Sequence, residues 1–277
     1  MLAASLGLFL ALAPAAEAVP CNPFAGAQAF LQGRKINWLV VGEIHGTREI
    51  PEAFADLVCA AAHEGRKVVV ALELPVADQD MVDAFMASDG GTEARERFLA
   101  GQFWQNGRDG RSSEAMFALL DSLRMMRQEG DILGVEAIKP GVGEAASISE
   151  YEKAMAGHAL QASREGALTL VLVGSVHAQL RERSSANAIA YLPMAAYLPR
   201  AATRTLQAAG QGGSAWTCLA EASNDHLDCG EHDMPEPDRR YPRGMVMLDR
   251  EGAPYDGYLN TGAPFTASPP QVDNAKG

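Results

Sequence analysis

Trp38-Leu39-Val40-Val41-Gly42-Glu43-Ile44-His45-Gly46-Thr47-Arg48-Glu49 is a short apolar run that stops abruptly in ionisable residues. Its length suits a buried strand. Glu43 and His45 lie two residues apart, so on an extended chain they project to the same side. Gly46 allows a sharp turn, and Pro51 suits the first turn of a helix. The stretch predicts a strand handing over to a helix, with acid and base groups at the carboxyl end of a sheet. Open α/β sheets bind their ligands there.

The pattern recurs. Leu168 to Val173 is another apolar run, followed by Gly174-Ser175-Val176-His177, so Gly-x-x-His stands at 42–45 and again at 174–177. One histidine after an apolar strand is commonly a packed histidine; two in matching contexts point to a site. Val68 to Leu74 reads as a further buried strand closed by Pro75, with Glu73 as its only charge. Ile132 to Ile138 reads as another, with Glu136 inside it and expected near the same site. A carboxylate in such a run needs a partner or a task, and a structural salt bridge is the alternative reading of Glu73.

Between these strands the spacing is helical. Phe54, Leu57, Val58 and Ala61 mark a helix over 51–64, with Gly65 as its C-terminal cap. Residues 76–130 read as helices with loops, and Ser149-Glu150-Tyr151-Glu152 reads as a capping box opening a helix to about Arg164. Strands alternating with helices predict an α/β fold with a central, largely parallel sheet flanked by helices. Beyond Arg181 the chain turns irregular and β-rich. Short strand-like pieces fall at 188–198, 204–209, 214–219 and 244–249, a long polar loop at 221–243, and a last edge strand at 255–260. The loop from Phe103 to Arg111 is charged and glycine-rich. It offers Trp104, Asp109 and Arg111 as substrate-binding residues, alongside Arg48, with Arg111 as an anion clamp. An ordinary solvated connection is the alternative.

The chain has 277 residues and a formal net charge of −12, which argues against nucleic-acid and anionic-membrane partners. Its first 18 residues are small and apolar, and Ala16-Glu17-Ala18 fits signal-peptidase cleavage before Val19. The expected organisation is a signal peptide over 1–18, an α/β domain over 19–262 and a disordered tail over 263–277. No stable membrane anchor is expected after cleavage, and the expected location is periplasmic or secreted. In that oxidising setting four cysteines suggest two bridges, Cys218–Cys229 and Cys21–Cys59. A zinc site built from Cys218, His226, Cys229 and His232 is the alternative to the first.

Gly42-Glu43-x-His45-Gly46-Thr47-x-Glu49, Glu73 closing its strand and the second Gly174-x-x-His177 together resemble the superfamily of erythromycin esterases, ChaN-like haem-binding proteins and TIKI/TraB proteins. The resemblance runs from about residue 36 to 260. It implies a largely parallel α/β sheet with the site at one edge. From the esterase branch it implies a hydrolytic site of Glu43, His45, Glu73 and His177. The TIKI branch implies metal-dependent peptide hydrolysis, and the ChaN branch implies haem binding. The chain departs from the ChaN lipoproteins in lacking a lipobox at Cys21.

The chemistry can also be read without the family. No Gly-x-Ser-x-Gly elbow is present. Two histidines with carboxylates suit either a histidine general base for water or a divalent metal held by His45, His177, Glu43 and Glu73 that activates water. The preferred reading is an exported hydrolase of esters or amides, acting on a small-molecule or peptide substrate, with His45 activating water and a metal optional. The alternatives are a haem- or iron-binding envelope protein, with Tyr191 or Tyr197 as axial ligand, and a non-catalytic binding domain.

Overall fold

The computed structural model describes residues 21–31, 35–184, 189–220, 227–248, 250 and 252–272. The expected signal peptide therefore lies outside the described residues. The frame is a seven-stranded sheet built from β1 (Trp38–Glu43), β2 (Lys67–Pro75), β3 (Ile132–Lys139), β4 (Ala167–Gly174), β7 (Thr203–Ala209), β10 (Gly244–Met247) and β11 (Gly257–Asn260), in the order β10-β11-β7-β1-β4-β2-β3. Every pairing is parallel except β10 with β11. The chain thus follows the predicted α/β plan, with helices over both faces and antiparallel hairpins in its C-terminal part.

All six residues of β1 and all eight of β4 are buried. This explains their continuous apolar runs: a parallel strand covered on both faces has no solvent side to make polar. The pleat still divides them. Leu39, Val41, Leu170 and Leu172 face α2 (Glu49–His63) and α6 (Glu114–Glu129), whereas Val40, Val171 and Val173 pack with Met155 and Ala159 of α7 (Ile148–Ala162). α6 starts at Ser113, whose hydroxyl accepts from the Met116 amide, and stops at Gly130 in the left-handed conformation (φ 85°).

α7 is capped two residues earlier than expected. Ser147, rather than Ser149, accepts from the Glu150 amide, and the Glu150 carboxylate reaches back to the amide of Ala146. Glu152 is therefore no part of the cap; it lies on the inward stripe with Met155, Ala156 and Ala159.

The C-terminal part departs further from expectation. Among the described residues of 188–198, Ala190–Tyr191 (β6) is a strand, paired with Arg183–Ser184 (β5), and Met194–Tyr197 is a 3-10 turn. The region 221–243 contains a strand, β9 (Leu227–Met234), which pairs antiparallel along the whole of β8 (Gly213–Ala220). β11 lies inside the sheet, and β10 takes its edge. The tail expected to be disordered is packed as far as Val272: Phe265 and Ser268 are buried, and the Ser268 amide donates to the Gly46 carbonyl at 2.8 Å. Backbone bonds to the 46–48 and 112–114 loops hold a segment whose composition alone gives it no core.

Both expected disulfides are present, with Cα–Cα separations of 5.7 Å for Cys21–Cys59 and 3.9 Å for Cys218–Cys229. The second joins directly opposed residues of the β8–β9 hairpin. That removes the zinc reading, which needs both thiolates; of its two histidines, His226 lies outside the described residues. The first staples the N-terminal arm to α2, and the arm then covers the sheet edge through the Met245 amide, which donates to the Ala25 carbonyl at 2.8 Å. Cys21→Ser/Cys59→Ser is expected to cost about 2–4 kcal/mol, read as a lower Tm in thermal unfolding. An unchanged Tm would mean that the arm holds without its staple.

Candidate active site

β2, β4 and β1 are neighbours in the sheet, and all three deliver ionisable residues at their carboxyl ends. The parallel register sets Glu43 beside Gly174, so the two Gly-x-x-His motifs interlock. A Cβ on Gly174 would lie 2.8 Å from His45 Nε2, and one on Gly42 would lie 3.0 Å from the Ser175 Cα. Each glycine is small because the other motif passes against it. Gly46 turns the chain after His45 with φ +73°.

Glu73 is the centre of the cluster and is only 5% exposed. Its Oε2 accepts the Gly174 amide at 2.7 Å, and its Oε1 accepts from Arg111 Nη1 at 2.9 Å. His45 Nε2 is 3.5 Å away on one side, and His177 Nε2 is 3.9 Å away on the other. Each histidine has a second carboxylate behind it. His45 Nδ1 meets Glu43 Oε1 at 3.0 Å, and His177 Nδ1 meets both oxygens of Glu152, at 2.8 and 2.9 Å. Arg111 is held in turn by Asp109, whose Oδ2 accepts from its Nε at 2.9 Å. The line of contacts thus runs Glu43, His45, Glu73, His177, Glu152, with Arg111 joining at its middle.

These contacts set the ionisation of the site. Burial raises the Glu73 carboxyl, but His45, His177, Arg111 and the Gly174 amide together bring it down to about 2. Burial disfavours the His45 imidazolium, yet Glu43 and Glu73 outweigh it and hold the pKa above 6.5. Burial likewise works against charge on His177, and Glu152 with Glu73 prevails there, again raising the pKa. Burial works against the Arg111 cation too, but Asp109 and Glu73 raise it further above its ordinary value.

The cluster opens into a cleft of about 550 Å³, lined by Glu43, His45, Glu73, Asp109, Arg111 and Gly174–His177. Its far wall is the β8–β9 hairpin, which contributes Leu219, the bridged Cys218, His232, Asp233 and Met234. The hairpin is moored over the site by its Trp216 amide, which donates to the Gly46 carbonyl at 2.9 Å, and by the Trp216 indole, which donates to the Arg108 carbonyl at 3.1 Å.

Glu43, His45, Glu73, His177, Asp109 and Arg111 are therefore brought together, as the sequence led one to expect. Four other groups named from the sequence lie outside this cleft. Trp104 is buried in an aromatic cluster with Phe98 and Phe117, because α5 (Gln102–Asn106) turns it into the core. Arg48 is exposed at the start of α2 and does not line the cleft. Glu136 lies on the sheet's outermost strand and pairs with Arg164 at 2.6 Å, away from the site. Tyr191 and Tyr197, proposed for haem, do not line the cleft either.

Glu152 and the hairpin residue Asp233 escaped the sequence reading, and His232, weighed there only as a zinc ligand, instead lines the cleft. The signal for Glu152 is a lone acid on the apolar stripe with Met155, Ala156 and Ala159, and its nearness to the helix start gives it the alternative reading of a cap.

The donor set does not fit a divalent ion as it stands. Both Glu73 oxygens are engaged, one of them by a guanidinium. Among the described residues, no three His, Cys, Asp or Glu ligand atoms of the cleft lie within 4.8 Å of one another. The group that does meet that distance is Cys21, Cys59 and His63, whose cysteines are bonded to each other.

No family model matches the chain, and no curated protein matches it in sequence. Solved structures do match its fold. A succinoglycan biosynthesis protein aligns with a TM-score of 0.63 at 10% identity, over 93% of this chain and 95% of that one. A Bacillus cereus protein aligns at 0.59 and 8% identity, over 88% and 93%. An erythromycin esterase, solved as a His-to-Asn mutant in its open conformation, aligns at 0.56 and 11% identity, over 86% and 92%. At these identities the likeness is one of fold.

Proposed function

We propose that this chain is an exported hydrolase of esters or amides. Its base is His45, which takes a proton from water as the water oxygen attacks the carbonyl carbon. One observation carries the reading: an imidazole is held between two carboxylates, Glu43 at 3.0 Å and Glu73 at 3.5 Å, at the floor of an open cleft. Glu43 orients the ring through Nδ1 and leaves Nε2 as the atom that receives the proton. The tetrahedral oxyanion is faced by Arg111 or by the imidazolium of His177, the cations that line the cleft. The fold is shared with an erythromycin esterase, an analogy of fold alone; the reaction class is argued from the Glu–His geometry of the site. The disulfides support an oxidising compartment. Among the described residues, no helix is long and apolar enough to cross a membrane.

The experiment is a panel of chromogenic esters and peptides, each tried with and without chelator. Hydrolysis of at least one class is expected, unaffected by chelator and lost in the Glu43→Ala/His45→Ala double variant with the fold intact. Activity that disappears with chelator and returns with a divalent ion would instead place the same residues around a metal. A panel with no hydrolysis, together with a Soret band on adding haem, would favour the ChaN-like reading.

A further inference from the structure

The cluster contains two Glu–His pairs, and water activation uses only one of them. We infer that His177, positioned by Glu152, is the general acid that protonates the leaving group, so that the site turns over alkyl esters and amides as well as activated aryl esters. This inference rests on the hydrolase reading above.

Glu152 has no exposed surface. A carboxylate so placed is costly unless it is fully engaged. Both its oxygens contact His177 Nδ1, and its Oε2 also accepts the Met194 amide at 2.8 Å. The histidine backbone is clamped as well: its amide donates to the Gly174 carbonyl at 2.9 Å, and its carbonyl accepts from the Ala195 amide at 2.9 Å. A carboxylate at Nδ1 fixes the proton there and turns Nε2 toward Glu73 and the cleft.

The two histidines lie on opposite sides of the single Glu73 charge, and positive charge on His45 disfavours it on His177. Such a pair sheds its protons in two steps, and between them one ring is imidazole and the other imidazolium. His45 contacts Glu43 through one oxygen, whereas His177 contacts both oxygens of a solvent-free carboxylate. The proton therefore stays on His177, and His45 is the base.

The steps balance. His45 Nε2 takes a proton from water as the new C–O bond forms. When the intermediate collapses, the bond to the leaving oxygen or nitrogen breaks, and its electron pair stays on that atom, which takes the proton from His177 Nε2. Water then returns a proton from His45 to His177. An aryloxide leaves without help, but an alkoxide or an amine does not.

The test uses the full, disulfide-bonded chain and esters with one acyl group and leaving groups graded from p-nitrophenol to a simple alcohol. For the wild type, kcat/KM is expected to depend weakly on the leaving group. Glu152→Gln is expected to slow both ends of the series, the alkyl ester by about 10²-fold or more and the aryl ester by clearly less. It should also move the alkaline limb of the alkyl-ester pH profile to lower pH, since His177 loses a carboxylate that holds its proton. Glu152→Asp should recover part of the loss. Equal losses at both ends, or an unmoved limb, would overturn the inference. Should Glu152→Gln fail to fold, the wild-type series decides alone, because a steep dependence on the leaving group contradicts a general acid. Hydrolysis that needs His45 but shows that steep dependence overturns this inference only; absence of hydrolysis overturns the preceding reading with it.

Discussion

His45→Ala is expected to lower turnover on ester and amide substrates by about 10²- to 10⁴-fold, the usual worth of a positioned general base. The ring is part-exposed and its neighbours are anchored independently: Glu73 by Arg111 and the Gly174 amide, Thr47 by its bond to the Ile44 carbonyl. The variant should therefore fold, and circular dichroism alongside steady-state kinetics separates lost chemistry from lost structure. His45→Gln should be no better, since an amide cannot accept the proton at working pH. Turnover unchanged in His45→Ala would remove the assignment.

Glu73→Gln should have two large effects. The first is on turnover, expected to fall by about 10²-fold or more, because one substitution removes the charge between both histidines and the partner of Arg111. The second is on stability. Breaking a buried ion pair from one side typically costs about 3–5 kcal/mol. Arg111 keeps 27% of its side chain in solvent and retains Asp109, so the loss belongs at or below the lower end.

The pH dependence of stability follows from the same groups. Glu73 is depressed to about 2 from 4.5, so its contribution is present above about pH 4.5 and is lost as pH falls toward 2. His45 and His177 are raised above 6.5, so theirs is present below pH 6.5 and is lost as pH rises through their folded values. The site therefore stabilises the fold most between about pH 4.5 and 6.5. Urea unfolding across pH should show that window in the wild type and a flattened acid side in Glu73→Gln.

The residues that could be read from the sequence are those whose placement is local. An apolar run ending in Glu-x-His needs only strand geometry and a sheet to put both groups at a carboxyl end. The second Gly-x-x-His and Glu73 follow by the same rule. Arg111 and Asp109 were expected from a glycine-rich, charged loop beside an aromatic anchor, Trp104, with an ordinary solvated connection as the alternative; the ion pair from Arg111 to Glu73 decides between them. The anchor itself was misread, because a tryptophan on a one-turn helix can face either way, and here the core partners Phe98 and Phe117 decide it. Glu136 lies elsewhere for a different reason: β3 is the edge strand on the far side of β2, and the Glu136 carboxylate keeps contact with solvent and pairs with Arg164.

β9 shows the limit of pattern reading. Leu-Asp-Cys-Gly-Glu-His-Asp-Met has no sustained alternation, and its apolar residues are only Leu227, Cys229 and Met234. It is a strand because it pairs with β8 in full register across a disulfide, and β8 is moored to Gly46 and Phe265. The packed tail depends on the same loops. Such contacts are long-range, and no window of sequence contains them.

The central claim is that His45 is the base and that its carboxylates set its proton affinity. The pH profile of kcat/KM, compared between the wild type and Glu43→Gln, tests it most directly. In the wild type activity should rise with pH along a limb lying above 6.5, the direction in which Glu43 and Glu73 move the imidazole. Glu43→Gln removes one of those charges, so the limb should shift to lower pH even as the maximum falls. A limb that stays in place, or moves upward, would contradict the account.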